Sequence, residues 1–310
     1  MKKNNLFLFL LTLLGIASCS QEQKIKILAP TGAPALAFYN MCIDGNFFTS
    51  STPANIVAEF TELGNKDVVI LPTSQGVKSI QKGAPFKLAA TITFGNFYLV
   101  SLGNDADQKL NDGDKVVLFQ KNQIPDKIFN FIYERNKFEI TYVENASDAA
   151  AVISNGKTID GKEVNYVLGA QPTIQGSLSK NLKASIYENI QEKFKEKTNG
   201  KTISQASIFI KNSLAKIKAD NFLSDIKNDI EKGINNPSLI KEGLSKFSNN
   251  ETEIAQKFGF NISLGEKWFE GENKVGLGYK VAYEMKDDID FLLSIIDSTF
   301  GGCDEEIFYK

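Results

Sequence analysis

The sequence contains no histidine. That absence removes Ser-His-Asp triads, Cys-His dyads, HExxH zinc sites and Cys2His2 fingers together. Arginine is nearly as scarce, since Arg135 stands alone among 35 basic residues. Against 37 acidic residues the formal net charge is -2, which lacks the basic excess that phosphate-backbone contacts require. Nucleic acid is therefore not an expected partner. Three cysteines are too few for a disulfide-framed scaffold, and no repeat or low-complexity run marks a solenoid or a disordered tail. What remains is 310 residues, 42% of them hydrophobic and 23% charged, which is a globular composition long enough for about two domains.

The chain opens with a Lys2/Lys3 segment, an apolar stretch from Leu6 to Leu14 and then small residues. That pattern is a secretory leader, too short to count as a spanning helix. Ile16-Ala17-Ser18-Cys19 resembles the lipobox of bacterial lipoproteins, in which the cysteine is acylated and the leader is cut just before it. Read so, residues 1–18 are the signal peptide, Cys19 is the lipidation site, and residues 19–23 tether the protein to the extracytoplasmic face of the cell membrane. Two cysteines remain, and an oxidising compartment permits a Cys42–Cys303 bridge, with buried free thiols as the alternative.

Further along, Lys24 to Pro30 reads as a strand and Thr31 to Cys42 as a turn and helix. Asn55 to Phe60 is expected as a strand, Asp67 to Pro72 as a strand buried on both faces, and Thr73 to about Lys82 as a helix. Strands over Phe86 to Phe94 and Phe97 to Leu102 flank Gly95-Asn96, where the chain is expected to leave a first lobe. The alternation restarts with strands at Lys115 to Phe119, Phe138 to Val143 and Val164 to Gly169, and helices between them. Ser204 to Ile210 is expected to carry the chain back. Helices are then expected over Asn212 to Ile234, Ser238 to Phe247, Glu251 to Phe258 and about Lys280 to Phe300, with Asn250 and Glu253 as a capping box. The expected division is 24–95 and 206–310 in one lobe and 96–205 in the other, with a ligand cleft between them.

Several segments, in order, carry a resemblance: APTGAPALAF, DVVILPTSQGVKSIQKGAPFKLAATITFGNFYLVSL, NYVLGAQP, SQASIFIKNSLAK, GLGYKVAYEMKDDIDFLLSII and the terminal FGGCDEEIFYK. They are similar to the type 2 solute-binding proteins of ABC importers, in the branch of nitrate, sulfonate, taurine and thiamine-precursor binders. The resemblance implies the α/β, two-lobed type 2 periplasmic-binding-protein fold, each lobe a mostly parallel sheet flanked by helices, with a helical C-terminal third. It implies a monomeric receptor that closes on a small-molecule solute and hands it to the transmembrane subunits of an ABC permease, without cofactor, metal or catalysis. Gln171 departs from the pattern, because relatives commonly carry a Pro-Glu-Pro type turn where this chain has Gly169-Ala170-Gln171-Pro172.

In open α/β sheets, ligands sit beyond the carboxyl ends of strands, where helix N-termini offer free N–H groups. Four such turns supply candidate binding residues: Thr31, Gly32 and Ala33; Pro72, Thr73 and Ser74; Gln120 and Asn122; Gln171 and Thr173. Each could equally be a plain helix cap. Phe94 and Asn96 at the expected hinge could sandwich and edge a ring, or simply fill a core. With no arginine in any turn, a bidentate clamp on a carboxylate or phosphate is not expected. A small anion or sulfonate on helix N-termini, or a thiamine-precursor-like heterocycle held by amides and hydroxyls, both fit.

Other signals carry less. Four Ser-x-x-Lys matches in a lysine-rich chain lack the companion motifs of serine acyl-enzymes. Asp105, Asp107, Asp112 and Asp114 place Val116 where an EF-hand needs its bidentate glutamate. Gly276-Leu277-Gly278 lacks the third glycine of a dinucleotide fingerprint and is expected as a turn. The alternative functional reading is a surface lipoprotein that binds a host or matrix component and has no transport role.

Overall fold

The computed structural model describes residues 24–42, 45–50, 52–103, 109–269 and 274–310. Cys19, Asp105 and Asp107 lie outside them. In chain order the first elements are β1 (Ile27–Pro30), α1 (Ala33–Leu36), β2 (Phe47–Ser50), α2 (Pro53–Glu59), β3 (Val68–Pro72), α3 (Thr73–Gln81) and β4 (Phe86–Phe94). The middle of the chain forms β5 (Phe97–Ser101), β6 (Lys115–Phe119), α4 (Ile124–Ile132), β7 (Glu139–Val143), α5 (Ala146–Asn155), β8 (Tyr166–Ala170), α6 (Thr173–Lys180), β9 (Ser185–Asn189) and α7 (Ile190–Thr198). It ends with β10 (Ser204–Lys211), α8 (Lys216–Asn235), α9 (Ser238–Phe247), α10 (Glu251–Phe258), β11 (Leu277–Val281) and α11 (Lys286–Ile296).

Two sheets result, ordered β11-β4-β10-β3-β1-β2 and β7-β6-β8-β5-β9. In the first, β1 to β4 run one way and β10 and β11 the other; in the second, β5 alone opposes its four neighbours. Both sheets are thus mostly parallel in strand direction and flanked by helices. The strands buried on both faces are the continuous apolar ones: Val68 to Leu71 and Val116 to Phe119 are all excluded from solvent.

Alternation along β10 separates two cores of the first lobe. Ala206, Ile208 and Ile210 face α1 and α8 to α10 with Phe38, Phe222 and Phe258. Phe209 faces the opposite side, with Phe60, Val77, Ile289 and Cys303. The second lobe has its own core around Leu99, Val117, Phe129 and Leu168. Helix α11 serves both lobes: Ile289 and Leu293 enter the first, while Leu292 and Phe291 enter the second, where Phe291 meets Phe131 and Phe194 edge-on at 6.0 and 6.2 Å.

Several expectations are corrected. Residues 55–59 are helical, not extended: Pro53 starts α2, Phe60 caps it, and Ile56 and Phe60 are the buried pair four residues apart. Residues 277–281 form an edge strand on β4, in place of the turn expected at Gly276-Leu277-Gly278 and the first residues of the last helix, which runs only from Lys286 to Ile296. Helix α8 starts at Lys216, after a turn at the end of β10. The Asn250 cap forms, accepting from Thr252 N–H at 2.9 Å, but Glu253 reaches back to the Ser248 hydroxyl at 2.7 Å. Cys42 and Cys303 are not bridged to each other, and both are buried. They sit in cores on opposite faces of the first sheet, so the sheet itself separates them. Burial, and then the Asp290 carboxylate, push the Cys303 thiol far above its ordinary range.

Candidate functional site

All four candidate turns follow the carboxyl ends of strands, as their sequence positions require. Their side chains are engaged differently. Thr31-Gly32-Ala33 lies beneath the end of α10: Gly32, at φ +98°, donates its N–H to the Phe258 carbonyl at 2.7 Å. Gly259 follows at φ +79°, and a Cβ there would come within 2.9 Å of Thr31 Cβ. Ala33 is buried in the core.

At Pro72-Thr73-Ser74 the Thr73 hydroxyl is fully buried inside a closed ring of four. It lies 2.7 Å from Ser207 Oγ and 3.1 Å from Ser204 Oγ, and the Thr91 hydroxyl lies 2.7 Å from Ser204 Oγ and 3.0 Å from Ser207 Oγ. Each hydroxyl can donate once and accept once around this ring. Thr73 therefore ties α3 to β4 and β10 and does not face a ligand. Ser74 follows in the first turn of α3, whose N-terminus no side chain caps.

In the second lobe, Gln120 and Asn122 adopt left-handed backbone at φ 55° and 64°. The exposed Asn122 donates its N–H to Asp126 at 2.7 Å. Asp126 is buried and also accepts from Asn130 at 3.0 Å and Tyr142 at 2.9 Å, so this turn is locked by a carboxylate that sequence reasoning did not single out. Burial, reinforced by Asp126, raises the Tyr142 phenol to about 12. Thr173 folds back on the Ala170 carbonyl at 2.5 Å, leaving the N-terminus of α6 without a side-chain cap.

The structure brings Asn96 and Gln171 together. Gln171 N–H donates to the Asn96 carbonyl at 2.9 Å, and the Asn96 side-chain amide donates to the Gln171 carbonyl. Around this pair the lobes touch. Tyr98 of β5 donates to the Lys274 carbonyl at 3.1 Å, and a Cβ on Gly176 of α6 would meet Leu264 at 3.6 Å. Phe94 donates its N–H to the Gly276 carbonyl at 2.7 Å, and Lys280 lies 5.7 Å above its ring.

Six buried side-chain atoms on the elements that meet here have no hydrogen-bond partner: Gln75 Oε1, Thr93 Oγ1, Asn96 Oδ1, Gln171 Oε1, Gln191 Nε2 and Trp268 Nε1. They come from the first turn of α3, the end of β4, the crossing segment, the β8–α6 turn, the first turn of α7 and the 3-10 segment Ile262–Trp268 that contacts α6. Buried polar atoms without partners are uncommon, and a concentration of them marks a place built for hydrogen bonding. The side chains are amides, a hydroxyl and an indole; the buried charged residues among those described, Lys66 and Asp126, lie elsewhere. Gln75, Thr93, Gln191 and Trp268 carry no local sequence signal.

Two open pockets lie away from this seam. One of about 380 Å³, lined by Ile27, Phe47, Lys218 and Phe222, sits at the opposite end of β1. Another of about 200 Å³, lined by Lys115, Val117 and Thr158, sits at the start of β6. Among the described residues no group of three metal-ligating side chains occurs.

No protein-family model matches the chain, and no curated protein matches it. Solved structures do. An ABC transporter structure from Parabacteroides distasonis is 18% identical, over 92% of this chain and 98% of that one, with a TM-score of 0.72. The ligand binding component of an ABC-type import system from Staphylococcus aureus, with zinc bound, is 10% identical over 93% and 97%, with a TM-score of 0.65. The periplasmic aliphatic sulphonate binding protein from Escherichia coli is 10% identical over 86% and 85%, with a TM-score of 0.57. The chain has the type 2 periplasmic-binding-protein fold. Asn96 and Gln171 continue the β5–β8 pairing of the second sheet, and Asn96 N–H donates to Gln205 Oε1 of β10 in the first sheet at 3.2 Å.

Proposed function

We propose that the chain is the solute-binding component of an ABC-type importer, held outside the cell membrane by a lipid on Cys19. The observation that carries this reading is the seam, where buried, unpartnered amide, hydroxyl and indole groups from both lobes meet beside two uncapped helix N-termini. Such a surface binds a small molecule through directed hydrogen bonds and helix dipoles. Opening about the crossing segments at Gly95-Asn96 and before β10 admits the solute, and closing brings it against Ser74, Gln75, Asn96 and Gln171. The closed form then docks on the permease. Among the described residues the unpartnered groups at the seam are amides, a hydroxyl and an indole, which fit a small anion or sulfonate cradled by N–H groups, or a neutral heterocycle, captured without chemistry.

A thermal-shift screen of the purified mature protein against sulfonates, nitrate, pyrimidine precursors, nucleobases and amino acids tests the reading. One class is expected to raise the melting temperature by several degrees, as mass action requires of a ligand that binds only the folded state. Ser74→Ala and Gln75→Ala are expected to keep the unliganded melting temperature and lose the shift. No shift across the panel, with no small molecule co-purifying in native mass spectra, would overturn it.

A further inference from the structure

Two buried amides where the chain crosses between the lobes have their sense fixed by the backbone they hold. Asn96 is 3% exposed, and its side-chain nitrogen must face the Gln171 carbonyl, since a carbonyl only accepts. Its unpartnered end is therefore Oδ1, an acceptor. Gln191, in the first turn of α7, is 6% exposed and takes the Ile203 N–H on Oε1 at 3.0 Å. Its unpartnered end is therefore Nε2, a donor. The two side chains are neighbours: a Cβ on Gly95, the residue before Asn96, would lie 2.4 Å from Gln191 Oε1 and 3.0 Å from Gln191 Cδ.

A third group of fixed sense comes from the first lobe. Trp268 is 1% exposed, its indole Nε1 can only donate, and it has no partner among the described residues. The segment that carries it is drawn to the same crossing. The Trp268 carbonyl accepts from Lys274 N–H at 2.9 Å, and the Lys274 carbonyl accepts from Tyr98 of β5 at 3.1 Å. A Cβ on Gly276 would lie 2.4 Å from the Phe94 carbonyl oxygen and 3.3 Å from that of Gly95. Gln75, Gln171 and Thr93 add two amides and a hydroxyl of adjustable sense: Gln171 Nε2 meets another amide, Gln175 Oε1, at 3.3 Å, and a hydroxyl both gives and accepts. None of these groups is charged. Of the lysines nearby, Lys201 pairs with Asp288 at 3.4 Å, Lys280 is exposed and Lys274 is half-buried.

We infer that the solute is uncharged at the edge it presents to the crossing and carries a hydrogen-bond donor beside an acceptor, as a lactam, a carboxamide or a cytosine-type ring does. The inference rests on the receptor reading and narrows it. The solute's donor meets Asn96 Oδ1, its acceptor meets Gln191 Nε2, and the Trp268 indole takes a further acceptor. Nitrate or a simple alkanesulfonate offers oxygens alone. It sets one of them against Asn96 Oδ1, and turning that amide to greet it breaks the bond to the Gln171 carbonyl. A site built to hydrogen-bond a donor rejects an analogue without it far more strongly than an apolar pocket rejects a missing methylene.

The test is the binding of matched probes to the purified mature protein, by thermal shift and calorimetry. Uracil, cytosine, pyridone and nicotinamide carry a donor beside an acceptor, whereas nitrate, methanesulfonate and benzenesulfonate carry acceptors alone. At least one of the first set is expected to raise the melting temperature by several degrees. The same compound methylated on its donor nitrogen should bind about tenfold more weakly or worse, the worth of one neutral hydrogen bond. Trp268→Phe, which removes the indole N–H, should weaken the same probe by about tenfold. Preference for the anions would overturn the inference and leave the receptor reading standing. So would a probe of the first set whose affinity survives both N-methylation and Trp268→Phe. No shift from the first set overturns it as well, and silence from both sets, with no solute co-purifying in native mass spectra, overturns the receptor reading with it.

Discussion

Asn96 and Gln171 hold each other twice at the end of the β5–β8 pairing, backbone N–H to carbonyl at 2.9 Å in one direction and side-chain amide to carbonyl in the other. Because the donor of the second bond must be nitrogen, the Asn96 amide is oriented by its partner, with Oδ1 directed to the seam.

Replacing Asn96 therefore separates two effects. Asn96→Ala should destabilise the protein by about 1–3 kcal/mol, the price of a buried carbonyl left unpaired. Asn96→Asp should destabilise further at neutral pH, since it buries a charge and sets two oxygens against each other. Urea midpoints of the two variants give the order directly, and an Asp variant as stable as wild type would remove the assigned bond.

The hydroxyl ring makes a prediction about additivity. Thr73→Val or Thr91→Val alone leaves Ser204 and Ser207 each with one partner, and each should cost about 1 kcal/mol. Together they leave both serines without the ring's hydroxyls, so the double variant should lose at least ~1 kcal/mol more than the sum. Additive losses in a double-mutant cycle would mean that the ring does not act as a unit.

Two glycines should respond oppositely to alanine. A Cβ on Gly76 would lie 2.0 Å from Phe209 Cζ in the middle of a core, and Gly76→Ala should lose about 1–3 kcal/mol through overpacking. On Gly176 it would meet only Leu264 at 3.6 Å, and helix propensity should then stabilise Gly176→Ala by about 0.5–1 kcal/mol. Denaturant unfolding of the pair is the check.

Alkali should unfold the protein through its tyrosines. Burial raises Tyr39, Tyr142, Tyr166 and Tyr279 each to about 12 from an ordinary value of 10. Between those values the folded chain holds protons that the unfolded chain releases, so stability is intact below pH 10 and falls as pH rises toward 12. Melting temperature against pH, with phenolate absorbance, should show the decline beginning near pH 10; a flat profile to pH 12 would contradict it.

The alternating units were legible because buried parallel strands are written as unbroken β-branched runs, as in Val68 to Leu71. Asn55 to Phe60 misled because its β-branched content hid the decisive spacing, Ile56 to Phe60, and the Pro53 start signal. Strand β2 offers only one buried residue, Phe47, and β11 gains its form from pairing with β4, a contact that local pattern does not encode. The four candidate turns were legible as strand-to-helix turns from their place after strands. Gln75, Thr93, Gln191 and Trp268 were not, since a lone polar residue reveals its burial only when distant segments close over it. Thr73 shows the converse, a hydroxyl at a ligand-type position captured by residues 131 and 134 places away.

Strand β10 lies between β3 and β4, yet those two strands are complete by residue 94 and β10 begins at residue 204. The first lobe's sheet therefore has a gap at its centre until more than a hundred further residues have been added to the chain. The β5-to-β9 sheet, by contrast, is contiguous in sequence and free to form first. Emerging vectorially, the chain should finish its inner lobe before its outer one, leaving the β3 and β4 edges unsatisfied in the interval. It is in the interval before β10 arrives that the first sheet is exposed to aggregation.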